Sequence, residues 1–159
     1  MIQLNLRYCH RLTDASVRHV AEHCVELEHL DVRYLPKLTD ASLETLLAPS
    51  MRGLRSLHLS QCWGLAAPGP VVRLCGTLPR LTELFLLESP AVRGVATIAE
   101  IARAMVAKVG AKLQLLDVRR CEGLGAKEET SQALELLRGA CGRNFVMTAP
   151  GLFHHGEGG

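Results

Sequence analysis

The sequence is short of aromatic rings and of any dominant charge. Its 159 residues include three Phe, two Tyr and one Trp, and 18 basic residues stand against 16 acidic ones, a formal charge of +2. Rings alone therefore cannot build the core, and neither a polybasic nucleic-acid arm nor an acidic tail can be the basis of function. No apolar run reaches the ~18 residues of a membrane span, and the longest candidate, residues 95–107, is interrupted by Glu100 and Arg103. None of the six cysteines forms a Cys-x-x-Cys pair, the minimal unit of zinc-ribbon and thioredoxin-like chemistry. The sequence also has no Gly-x-Gly-x-x-Gly, no P-loop and no Gly-x-Ser-x-Gly elbow. Around Met1, Ile2 and Leu4 there is no basic stretch and no cleavage-site pattern, so a cytoplasmic or nuclear location is expected.

What is abundant is leucine, at 28 of 159 positions, within a hydrophobic content of 48%. That is enough for one domain with a core of its own. The leucines recur. Leu4-x-Leu6-x-x-Cys9-x-x-Leu12-Thr13-Asp14 returns as Leu30-x-Val32-x-x-Leu35-x-x-Leu38-Thr39-Asp40. The next copies are Leu57-x-Leu59-x-x-Cys62-x-x-Leu65, Leu84-x-Leu86-x-x-Ser89-x-x-Val92 and Leu116-x-Val118-x-x-Cys121-x-x-Leu124. Successive anchors lie 26, 27, 27 and 32 residues apart, a self-similarity that predicts stacked structural units.

These strings resemble the leucine-rich-repeat family. The Leu-x-Leu-x-x-Cys-x-x-Leu-Thr-Asp string and the Cys24-x-x-Leu27-x-x-Leu30 entry to the second copy are similar to the cysteine-containing subtype of F-box leucine-rich-repeat proteins. Leu35 and Ser89 depart from the cysteine column. The resemblance covers roughly residues 1–125 and implies an α/β solenoid of about five repeats; the repeat domain is expected over residues 1–147, and the Gly- and His-rich end at 148–159 is expected to be a flexible tail.

Local physics agrees with that architecture. Leu-x-Leu has the period of a strand. Thr13-Asp14 and Thr39-Asp40 are helix-start signals, read here as caps of the helices that follow them. Val17, Val20, Ala21 and Cys24 then share one helical face. Since one copy cannot cover its own apolar side, copies stack, with a parallel sheet on the concave side and helices on the convex side. The longer fourth spacing predicts a helix over 95–109, with Ile98, Ala102, Met105 and Val109 on one face. A last helix is expected over 127–138, with Ala133, Leu134 and Leu137 inward, and a sixth strand near 145–147. The first strand begins at once, so its edge is expected either to follow a lost N-terminal part or to dock onto something.

Candidate chemistry is sparse. Cys9, Cys62 and Cys121 are expected to point inward and satisfy backbone groups rather than to pair. His19 and His23 have the spacing of a helical metal clamp, yet they face solvent with no evident third ligand, so no metal or cofactor is expected. His58 and Ser60 lack an orienting acid, and no enzymatic activity is expected.

The remaining surface is the outward side of the strands. Its columns read Gln3, His29, Ser56, Glu83, Leu115; then Asn5, Asp31, His58, Phe85, Asp117; then Arg7, Arg33, Ser60, Leu87, Arg119; then Tyr8, Tyr34, Gln61, Glu88, Arg120. Arg-Tyr occurs twice in register, and Trp63, Phe85 and Leu87 add apolar bulk. Arginine and aromatic residues are enriched at interface hot spots. The candidate protein-binding residues are therefore Arg7, Tyr8, Arg33, Tyr34, His58, Trp63, Phe85, Leu87 and Arg119. A plainer reading pairs the arginines with Asp31 and Asp117. Four arginines against Asp31, Glu83, Glu88 and Asp117 leave no basic excess, so nucleic acid is not expected. The resemblance implies a partner delivered to a cullin-RING ubiquitin ligase, with the F-box contact supplied by an N-terminal region absent from these residues. The alternative is a structural subunit of a large assembly.

Overall fold

Leu-x-Leu provides enough alternation for a strand of three to five residues, and the polar turn after it sends the chain away from the sheet. In the computed structural model, which describes residues 2–124 and 127–149, this happens five times, and a sixth strand follows. The strands are β1 (Ile2–Asn5), β2 (Leu27–Asp31), β3 (Ser56–His58), β4 (Glu83–Phe85), β5 (Leu115–Asp117) and β6 (Val146–Thr148). Between them run α1 (Asp14–His23), α2 (Asp40–Thr45), α3 (Pro68–Thr77), α4 (Gly94–Ala107) and α5 (Lys127–Cys141), with one 3₁₀ turn at Pro49–Met51. The strands form one parallel sheet in chain order. Leu4, Leu30, Leu57, Leu84, Leu116 and Met147 are paired on successive rungs. The molecule is a leucine-rich-repeat-like α/β solenoid.

The core lies between the sheet and the helices. Leu57, Leu84 and Leu116 are fully buried, and cutting such a leucine to alanine costs about 2–5 kcal/mol. Helix α4 ends at Ala107 rather than at 109 because Lys108 turns extended. Its buried ammonium donates to the Leu81 carbonyl at 3.2 Å, and that of Lys112 donates to the Lys108 carbonyl at 2.7 Å. Val109 is therefore thrown out to 90% exposure instead of sharing the inner face of Ile98, Ala102 and Met105. Helix α5 runs to Cys141, with Ala133 and Leu137 buried. The sixth strand ends at Thr148. Of the tail expected at 148–159, residues 150–159 lie outside the described residues.

The helix-start signals work across coils. The Asp14 carboxylate accepts from the Thr39 N–H at 2.8 Å and the Thr39 hydroxyl at 2.6 Å, and also from the Ser42 hydroxyl. Asp40 accepts from the N–H groups of Ala66 and Ala67 at 3.1 and 3.2 Å. Each aspartate thus satisfies donors at the entry to the next coil's helix rather than in its own, while Thr39 caps its own helix as expected, its hydroxyl accepting from the Ala41 N–H at 3.3 Å. In α1 the Thr13 N–H goes instead to Ser16 Oγ at 3.2 Å. The cysteine column is likewise cross-coil. Cys62 and Cys121 donate to the Val32 and Leu86 carbonyls of the preceding coil, both at 3.0 Å. Cys9, expected to point inward and bond a backbone group, is exposed: among the described residues no earlier coil covers it or offers it a carbonyl.

Candidate protein-docking face

The sheet register sets the first two columns as read from sequence: Gln3, His29, Ser56, Glu83 and Leu115 lie side by side, as do Asn5, Asp31, His58, Phe85 and Asp117. In three coils the second column closes the turn after the strand. Asn5, Asp31 and Asp117 accept from the N–H two residues on, that of Arg7, Arg33 and Arg119, at 3.0–3.1 Å. This is the local bond that short acidic and amide side chains make at turns.

The same carboxylates hold arginines. Arg33 forks onto Asp31 through Nε (2.9 Å) and Nη2 (2.6 Å), and Arg119 onto Asp117 at 2.9 and 2.8 Å. Burial pushes both carboxyls up, but the arginine hydrogen bonds outweigh it and both titrate below the ordinary value. Arg33 and Arg119 are therefore occupied within the face, as the plainer reading expected. Coils three and four lack the carboxylate. There His58 and Phe85 stack with centroids 3.8 Å apart and planes 12° apart. Burial holds the His58 imidazole below its usual pKa, so the ring is neutral at pH 7. Ser60 is buried, and its hydroxyl accepts from the Leu87 N–H at 3.1 Å. Leu87 itself is half-buried.

The last column forms a rim. Tyr8, Tyr34, Gln61, Glu88 and Arg120 all have left-handed backbone, with φ from 54° to 64°. A non-glycine residue gives up roughly 1–2 kcal/mol in that conformation. The conformation nevertheless lets each N–H of the first four bond the next coil, as Tyr34 does to the Ser60 carbonyl at 3.2 Å. Neighbouring side chains then touch in sequence. Tyr8 stacks on Tyr34 at 4.3 Å. Gln61 donates to Glu88 at 2.6 Å and Arg120 donates to Glu88 at 2.7 Å. Arg120, then Gln61, hold the Glu88 carboxyl below its ordinary pKa. The Arg7 guanidinium lies 5.3 Å from the Tyr8 ring centre, within cation–π range.

The structure thus brings together Arg7, Tyr8 and Tyr34 at one end, His58 and Phe85 in the middle, and Arg119 at the far end. Trp63 belongs to no strand. It lies in the turn after Gln61 and is 57% exposed. The turn passes so close to the preceding coil that a Cβ on Gly64 would sit 2.2 Å from the Leu38 carbonyl oxygen. Sequence reasoning missed a shallow hollow of about 280 Å³ lined by Gln3, Asn5, His29, Asp31, His58 and Glu83 among others. His29 Nε2 is buried there without a partner. The signal was the outer column, where His29 and Glu83 flank the small Ser56.

On the opposite, convex side His19 and His23 face solvent as expected. The structure adds Glu22, whose carboxylate lies within 4.8 Å of a ring nitrogen of each histidine. A third candidate ligand is therefore present where the sequence reading saw none.

No protein-family model matches the chain, and no curated protein matches it significantly. Among solved structures, it is similar to "Leiomodin-1 Actin-Binding Site 2 (ABS2)" with a TM-score of 0.61 and 16% identity, over 85% of this chain and 78% of that one. At this identity the likeness shows the fold.

Proposed function

We propose that this chain is a protein-binding module that docks its partner across the sheet face and the tyrosine end of the rim. The observation that carries the reading is the pairing of aromatic stacks, Tyr8 on Tyr34 and His58 on Phe85, with arginines whose charge is already met inside the face. Phosphate tracking needs unpaired positive charge, and Arg33, Arg119 and Arg120 each sit on a carboxylate. Rigid rings instead offer contact area at low ordering cost. The solved leiomodin-1 domain of the same fold is named as an actin-binding site, a precedent for protein docking on such a scaffold.

More finely, the cysteine-containing coils favour the F-box leucine-rich-repeat reading. The partner is then a substrate presented to a cullin-RING ubiquitin ligase, the adaptor contact coming from an F-box region outside these residues. Six free cysteines, three of them buried, suit the reducing cytoplasm or nucleus. A second reading has its own support. Among the described residues nothing pairs with the outer edge of strand β1, and Ile2 is 45% exposed with Leu4, Leu6 and Leu12 only half-buried. A structural subunit would use that edge as a permanent contact.

The test is affinity capture with the wild-type chain and with Tyr8→Ala/Tyr34→Ala. Loss of the partner from the double variant, by about tenfold or more as for central aromatic anchors, supports the docking face. Equal capture removes it. Cullin-RING components in the capture support the ligase reading, and stoichiometric, salt-resistant recovery in one assembly supports the structural one.

A further inference from the structure

Helix α1 is a rigid platform. Val17, Val20 and Ala21 anchor it to the core, and its N-terminal Asp14 is tied to the second coil. Its solvent face carries His19, Glu22 and His23 toward the C-terminal end. The two imidazole centroids lie 4.1 Å apart, and one ligand atom from each of the three side chains lies within 4.8 Å of the others. Around a tetrahedral zinc, ligand atoms stand about 3.4 Å apart, given bonds of about 2.1 Å. Closing the gap needs only side-chain rotation, and all three residues are exposed.

Two further features favour a metal over a merely solvated cluster. His23 Nδ1 lies 2.9 Å from the His19 carbonyl oxygen. A ring N–H donated to a backbone carbonyl is how ligating histidines are oriented, and it directs Nε2 outward as the ligand. Glu22 and His23 also lie in the C-terminal turn of the helix, where the terminal carbonyls carry partial negative charge and favour a cation.

We infer that His19, Glu22 and His23 form a binding site for one divalent transition-metal ion of borderline softness, such as Zn²⁺, Ni²⁺ or Cu²⁺. Two imidazoles and one carboxylate are the donor set such ions prefer, whereas Mg²⁺ and Ca²⁺ prefer all-oxygen shells. Three protein ligands leave at least one position for water or for a donor from another molecule. The site lies on the convex side, so it stands apart from the docking face.

The test is calorimetric titration of Zn²⁺, and separately Ni²⁺, into the full chain with its thiols kept reduced. A background carrying His154→Asn/His155→Asn removes the other adjacent histidine pair. One ion per chain is expected, with affinity at least tenfold weaker in His19→Asn/His23→Asn and several-fold weaker in Glu22→Gln. Mg²⁺ and Ca²⁺ should give no heat. An unchanged helical circular dichroism spectrum will show that the variants remain folded. Undiminished affinity in the histidine double variant, or no saturable uptake by the parent chain, overturns the assignment.

Discussion

Asp14 shows how one side chain fixes the joint between two coils. Burial pushes its carboxyl up, but the bonds from Ser42 and Thr39 prevail and it titrates below 3.8. Asp14→Ala leaves the Thr39 amide and hydroxyl and the Ser42 hydroxyl without this acceptor, and capping losses run to about 1–2 kcal/mol. Urea denaturation should show that loss, with Asp14→Asn falling between the two because it keeps one acceptor oxygen. Residues of this kind were legible in the sequence as to type but not as to partner. The Thr-Asp string signals a helix start, yet nothing local shows that the carboxylate reaches the amides of the following coil. For the same reason Cys9 and Cys62 look alike in the repeat, while only Cys62 has a carbonyl from an earlier coil to bond. Burial pushes the thiols of Cys121 and Cys75 up to about 11 and about 12, which marks them as inert packing groups at neutral pH.

Among the elements, the strands and their register were legible because leucine alternation and spacing are periodic, and a one-residue slip would turn every leucine to solvent. The rim was legible as a column of residues but not in its backbone. Tyr8, Tyr34, Gln61, Glu88 and Arg120 comprise four residue types, none of them glycine, so the common left-handed conformation left no sequence mark, although it determines which side chains meet. It makes a specific forecast. Glycine takes positive φ without a Cβ penalty, so Tyr34→Gly should be more stable than Tyr34→Ala by about 1 kcal/mol. The order should reverse at Ala99 inside α4, where Ala99→Gly costs about 1 kcal/mol. Thermal melts of the three variants decide it. Matching values for the two Tyr34 variants would show that the left-handed turn relaxes once the ring is gone.

For the whole molecule, the docking face and the joints respond together to acid. His58 is packed against Phe85 and faces Asp31, Arg33, Glu83 and Asp117. Its folded-state pKa lies below 6.5, so below pH 6.5 the unfolded chain binds the proton more readily and stability falls. Asp14, Asp31 and Asp117 titrate below 3.8 when folded, so their contribution is complete above that value and is lost as pH drops through their lower folded values. Urea midpoints should therefore decline in two stages, the first beginning near pH 6.5 and the second below pH 3.8. His58→Leu should remove the first stage alone. A single stage in the wild-type chain would show that His58 protonates without cost to the fold.

The order of strands in the sheet is the order of residues in the chain. Every β-pairing joins neighbours along the polypeptide, so none waits for a distant segment. Such a molecule suits assembly during translation, each turn settling against the one just made while the ribosome is still extending the next.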